Sequence, residues 1–202
     1  QVEDFSLTFI DASAGPGSYD TGVGASALEA QFAQPPIISR QAWGANEAYR
    51  YENGEEVWPP EYQTVEHVII HHTETPNFQD PFVAIRSIYY YHAVTRGWGD
   101  IGYNYLVDYR GNIYEGRYGG ENVIGGHAFQ YAEGSSGIAA IGSFSWEDTT
   151  VETQAGLVAI TAWAARDLDP YASKQFHQVP DLPTIAGHRD VVQSACPGDQ
   201  LY

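Results

Sequence analysis

Val65-Glu66-His67-Val68-Ile69-Ile70-His71-His72-Thr73 is an apolar, β-branched run that stops at two adjacent histidines, and the rest of the chain is best read outward from it. Its length and its valine and isoleucine content predict a buried strand over 65–72. Side chains alternate across a strand, so only one of His71 and His72 can face a given site. Downstream, Phe82, Ile85, Ile88 (or Tyr89) and His92 recur at helical spacing behind Asp80-Pro81, which suits a first turn, so a helix is expected over 82–95. Two alternating runs, Tyr103–Tyr109 and Asn112–Arg117, flank Arg110-Gly111 and predict a hairpin. Gly137–Phe144 reads as another buried strand. A second helix is expected over 153–168, with Leu157, Ile160, Ala164 and Leu168 on one stripe and Thr149 capping its start with Glu152 three residues on. A short strand over 184–187 completes the pattern. Helices interspersed with a mixed sheet predict an α/β or α+β layered domain.

Upstream of this region the composition changes. Phe5, Leu7 and Phe9 alternate with polar residues as in a half-buried strand, and Ala12–Ser26 is a Gly- and Ser-rich loop or linker. Pro35-Pro36 then holds the chain extended as it enters the main domain. The expected organisation is an N-terminal extension or linker over 1–36, with its short strand either wrapped on the main domain or left from an upstream one, and a main domain over 37–202. At 202 residues the chain is long enough for one domain with a sizeable core.

Charge narrows the function. Twenty-six acidic residues against nine basic ones give a net charge of -17, which argues against nucleic acid and anionic membranes as partners. No apolar run approaches the ~18 residues of a membrane span, so membrane insertion is not expected. The chain has no methionine, even at position 1, so a processed N-terminus is expected, with any secretion signal already removed. Fifteen tyrosines and five tryptophans fill a core and can also line a site for polar, ring-bearing ligands.

The lone cysteine, Cys196, lies eight residues after His188 in Gly187-His188-Arg189-Asp190 and opens Cys196-Pro197-Gly198. With no internal disulfide available, it is a buried inert thiol, a nucleophile activated by His188, or a metal ligand. One of His71 and His72, together with His188 and Cys196, would make the open zinc pattern of three protein ligands, a hydrolase in outline.

The motifs taken in order resemble the type 2 N-acetylmuramoyl-L-alanine amidases, the family that includes the peptidoglycan recognition proteins. They are Ile38-Ser39-Arg40 with Trp43-Gly44, His71-His72-Thr73, Arg96-Gly97-Trp98 and Asp100-Ile101-Gly102-Tyr103-Asn104-Tyr105. They continue with Ile113-Tyr114-Glu115-Gly116-Arg117, Gly126-His127-Ala128, Gly137-Ile138 with Gly142, and the His188 and Cys196 segments. The resemblance covers about 37–202 and implies a central mixed sheet flanked by about three helices. It also implies that His71, His188 and Cys196 bind Zn2+, with His72 facing away as a packed strand residue.

Tyr103 matches the family's catalytic tyrosine, a phenol able to orient water or hydrogen-bond an oxyanion. Ser194, where relatives carry threonine or lysine, is a second catalytic candidate, against its plain role as a turn serine. Trp43, Trp98, Asn104 and His127 are expected to wall a substrate groove, and Arg117 either touches substrate or makes an ion pair. His67, His92 and His177 read as surface or packing histidines. The implied reaction is hydrolysis of the amide between the lactyl group of N-acetylmuramic acid and L-alanine in peptidoglycan. The protein is expected to act outside the cell or at the cell wall, as a monomer. A non-catalytic peptidoglycan-binding module is the alternative.

Overall fold

A computed structural model describes residues 32–202. The Phe5–Phe9 strand and the loop over 12–26 lie outside the described residues. The elements of the mixed sheet are β1 (Ile37–Ile38), β4 (His67–His72), β5 (Tyr105–Val107), β6 (Ile113–Glu115), β7 (Ser135–Ala140) and β10 (Ile185–Gly187). Two small hairpins stand apart from it, β2 (Tyr51–Glu52) with β3 (Glu55–Glu56) and β8 (Ser173–Phe176) with β9 (Val179–Pro183).

The sheet runs β1-β6-β5-β7-β4-β10, and every junction is parallel except β5–β6. That exception is the hairpin expected from Arg110-Gly111. Asp108 Oδ1 accepts from the amides of Arg110 and Asn112, and Gly111 takes φ +78°, the left-handed region a glycine enters without steric cost. β4 lies one in from the edge, paired on both sides by β7 and β10, and all but one of its six residues are buried, as a strand covered on both faces requires.

Period-two alternation sorts the core into two layers. Leu106, Tyr114 and Ala139 face helices α1 (Arg40–Trp43) and α2 (Pro81–Tyr90), packing with Trp43, Ile85 and Tyr89. Val68, Tyr105, Val107, Ile138 and Ala140 face α3 (Val151–Ala164), packing with Leu157, Ile160 and Trp163. Helix α2 starts as read, with Asp80 Oδ1 accepting from the Val83 amide and Pro81 in the first turn, and it continues into a π-helical turn over Tyr91–Thr95.

Helix α3 departs from the expectation at both ends. Its N-cap is Thr150, whose Oγ1 accepts from the Thr153 amide at 2.9 Å, while Thr149 Oγ1 accepts from Gln154 Nε2. Thr150 holds the extended backbone that an N-cap needs, one residue later than the sequence suggested. The regular helix stops at Ala164, and Leu168 reaches the same apolar cluster from the turn that follows.

One carboxylate ties this frame together. Asp100, fully buried, accepts from Arg40 Nη1 at 2.9 Å and from Arg117 Nη1 at 2.8 Å, and its two oxygens also take the Ile101 and Tyr118 amides. Two buried guanidiniums around one buried carboxylate are tolerated because each is paired and hydrogen-bonded. No helix among the described residues is long and apolar enough to cross a membrane.

Candidate metal centre

The site sits at the carboxyl ends of the parallel strands β4 and β10, where open α/β sheets place ligands. β10 stops at Gly187, opposite Ile70, and the chain turns into a 3-10 turn over His188–Asp190. Asp190 Oδ2 accepts from the Gly187 amide at 2.7 Å, which fixes that turn and sets the His188 ring 4.5 Å from the His71 ring, centroid to centroid. The strand's early end also leaves the edge of β4 open beyond Ile70. The Cys196 loop fills it, with the His72 amide donating to Sγ at 3.4 Å. Arg189 spans the loop by reaching Asp199 Oδ1 at 2.8 Å and the Ala195 carbonyl at 2.6 Å.

The result is a convergence of His71, His188 and Cys196, whose ligand atoms all lie within 4.8 Å of one another. Sγ is 3.7 Å from His71 Nδ1. Among the described residues this is the one such group of three or more His, Cys, Asp or Glu. Tetrahedral zinc holds nitrogen and sulfur donors roughly 3.5 Å apart, so the three need close by no more than about 1.3 Å. The donor set also suits the ion chemically. Burial, the largest cause, pushes the pKa of His71 well below its ordinary value and lowers that of His188, so both imidazoles are neutral with a lone pair to offer. Burial raises the Cys196 thiol to about 11, which disfavours a free thiolate nucleophile, whereas a cation beside it would take the proton's place.

His72 points to the other face of β4. Its Nδ1 accepts from the Phe144 amide at 3.2 Å and its Nε2 lies 2.6 Å from Glu74. Tyr103 follows the Asp100 anchor and brings its ring to 5.5 Å from that of His71, centroid to centroid, with His92 behind it at 5.6 Å. His92 Nδ1 accepts from the Gly102 amide at 3.2 Å, so this histidine buttresses the Tyr103 segment.

Beside the centre lies a cleft of about 1020 Å³, lined among others by Trp58, Arg96, Trp98, His127, Phe129 and His188. A second cavity, about 560 Å³, lies on the α3 side of the sheet against Ile70, Leu157 and Leu168, away from the three ligand residues.

Of the expected groove residues, Trp98 lines the cleft and three others do not. Trp43 is 0% exposed in the core, its Nε1 donating to the Glu115 carbonyl, because α1 packs flat on the sheet. Asn104 is buried as a clamp: Nδ2 donates to the Val123 carbonyl and Oδ1 accepts from the Gly137 amide. Arg117 takes the ion-pair reading with Asp100, and its Nη2 donates to the carbonyls of Trp58 and Pro59. Its role toward the cleft is to hold that wall, with its guanidinium carbon 3.7 Å from the Trp58 ring centroid.

Ser194 takes the local reading too, its Oγ accepting from the Cys196 amide at 3.0 Å. His127 lines the cleft but is only 7% exposed, and both ring nitrogens have partners. The residues missed are Trp58, Arg96 and Phe129. The signal for Trp58 was a tryptophan immediately before Pro59-Pro60, in a segment that cannot be a core strand.

A mixed α/β sheet carries, at the ends of its parallel strands and beside a cleft, a His/His/Cys group that could hold a metal ion. The family model described as N-acetylmuramoyl-L-alanine amidase matches residues 61–199, and the chain belongs to that family. Human N-acetylmuramoyl-L-alanine amidase is 30% identical over 174 residues, 86% of this chain and 28% of its own length. Peptidoglycan-recognition protein LB of Drosophila melanogaster is 32% identical over 173 residues, 82% of this chain and 66% of its own length. The chain thus spans just over a quarter of the one relative and just under two thirds of the other.

Among solved structures, Drosophila PGRP-LB matches with a TM-score of 0.65 at 31% identity, covering 83% of this chain and 90% of that one. Peptidoglycan recognition protein-LE in complex with tracheal cytotoxin, a monomeric diaminopimelic acid-type peptidoglycan, matches with a TM-score of 0.65 at 30% identity, covering 82% and 89%. The fold is that of the peptidoglycan recognition proteins.

Proposed function

We propose that this protein is a zinc-dependent N-acetylmuramoyl-L-alanine amidase, cleaving the amide between the lactyl group of N-acetylmuramic acid and the L-alanine of the stem peptide. The observation that carries the reading is the complete donor set, His71, His188 and Cys196, converging beside a cleft of about 1020 Å³ that His188 helps to line. Those three residues would hold the ion. Zinc, when bound, supplies Lewis acidity: it polarises a carbonyl oxygen and lowers the pKa of water toward neutrality.

The chain's own groups do the rest. Tyr103, whose phenol pKa is raised by burial and keeps its proton at neutral pH, donates to the oxygen on which negative charge develops. Trp58, Trp98 and Phe129 hold the sugar and peptide along the cleft, Phe129 offering an exposed aromatic face to them. The amine leaves as the protonated N-terminus of the released peptide. The substrate is a wall polymer, so the protein acts outside the cell or at the wall, and residues 37–202 form the working domain.

Metal dependence tests the reading. Purified protein should carry about one zinc, lose amidase activity with a chelator and recover it on adding zinc. Activity that survives complete metal removal would favour a thiol hydrolase, and fully metallated protein that binds peptidoglycan without cutting it would make this a recognition module.

A further inference from the structure

Gly126-His127-Ala128 carries an imidazole that lines the cleft yet is almost wholly buried. Its ring lies in a slot floored by glycine: a Cβ at Gly137 would fall 2.1 Å from His127 Cγ, and one at Gly125 would fall 2.9 Å from Cδ2. The Asn104 amide clamps the two sides of that slot together through Val123 and Gly137. Within it His127 Nδ1 is 3.0 Å from His71 Nε2, and His127 Nε2 is 3.4 Å from Ser135 Oγ.

The direction of these bonds follows from the far end. Ser135 Oγ donates to the Tyr131 carbonyl at 2.6 Å, so its lone pairs are what it can offer His127. Nε2 of His127 therefore carries the ring proton and Nδ1 is an acceptor. His71 must then carry its own proton on Nε2 and donate it. That leaves His71 Nδ1 bare, on the side where Cys196 Sγ lies at 3.7 Å. In the opposite tautomer His71 Nδ1 would hold a proton and could not bind a cation.

We propose that His127 is a positioning residue, which with Ser135 locks His71 in the tautomer and ring orientation that present Nδ1 to the metal. The inference rests on the zinc reading above. Metal-ligating histidines generally donate their other ring N–H to an acceptor, and loss of that acceptor costs about 10–100-fold in metal affinity.

The test compares metal uptake by the wild type, His127→Leu and His127→Asn, two variants of nearly equal shape. Zinc affinity is measured by competition with a chromophoric chelator, and cobalt binding by its thiolate charge-transfer band. Leucine removes the acceptor and should weaken zinc binding about 10–100-fold. The Oδ1 of asparagine stands near the place of Nδ1 and should keep the affinity within about threefold of the wild type. Equal affinity in the leucine variant and the wild type would overturn the proposal, as would an asparagine variant as weak as leucine. Failure of the wild type to take up zinc or cobalt would strike the zinc reading itself.

Should the leucine variant not fold, nitrogen NMR on the metal-free wild type decides: the proposal requires His71 protonated at Nε2, and a proton on Nδ1 refutes it.

Discussion

Tyr103 and Ser194 both bring a hydroxyl near the ligand residues, and their surroundings give them different work. The tyrosine ring is packed between His71 and His92, while the serine oxygen is occupied by the Cys196 amide two residues on. Tyr103→Phe should therefore lower kcat by about 10²–10³ with zinc affinity unchanged, the cost of losing one donor to a developing oxyanion. Ser194→Ala should leave kcat within about threefold and cost roughly 1 kcal/mol of stability through the lost turn bond. Steady-state kinetics beside denaturant unfolding reads both, and a large kcat loss in the serine variant with an intact fold would return Ser194 to the chemistry. Residue chemistry alone left His71 and His72 open and gave Cys196 three readings; it was the resemblance that singled out His71, His188 and Cys196, the three residues the fold brings together. Trp43 and Trp58 were not separable in the sequence, since one residue type serves core and cleft alike and only the packing of α1 and the reach of Arg117 tell them apart.

At the level of elements, β4 and α2 follow their sequence patterns, and the β5–β6 hairpin turns where Arg110-Gly111 placed it, although each of its strands is three residues long, shorter than the alternating runs over 103–109 and 112–117. The β8–β9 hairpin was invisible. Ser173, Lys174 and Gln175 are exposed and polar and its second strand holds two prolines, so it has neither alternation nor β-branched runs to announce it. The start of α3 shows how fine the limit is: adjacent threonines offer the same hydroxyl, and backbone angle alone selects Thr150. Thr150→Ala should cost about 1 kcal/mol of unfolding free energy. Thr149→Ala should cost no more than about 0.5 kcal/mol. Equal losses in urea titrations, or the reverse order, would contradict the cap assignment.

Over the whole molecule, burial is the recurrent cause of shifted histidines. His67, His71, His92, His127 and His188 are all lowered with desolvation as the largest cause, His92 to about 4 and His127 to about 3. A histidine lowered on folding binds its proton more readily in the unfolded chain, so its contribution is fully present above about pH 6.5 and is lost as pH falls toward the folded value. Metal-free protein should lose stability steadily from pH 7 to pH 5, by up to about 1.4 kcal/mol per pH unit for each such group below pH 6.5. His92→Asn, away from the three ligands, should flatten that slope. Urea midpoints that do not change across this range would contradict the burial argument.

With His71, His188 and Cys196 assembled, the proposed amidase should cut its substrate and not merely bind it. Mass spectrometry of the products released from a purified muropeptide by zinc-loaded protein tests it most directly. Two fragments are expected, a peptide beginning with free L-alanine and a sugar ending in the lactyl carboxylate, both missing for Cys196→Ser. Intact muropeptide recovered in complex with fully metallated wild-type protein would contradict it.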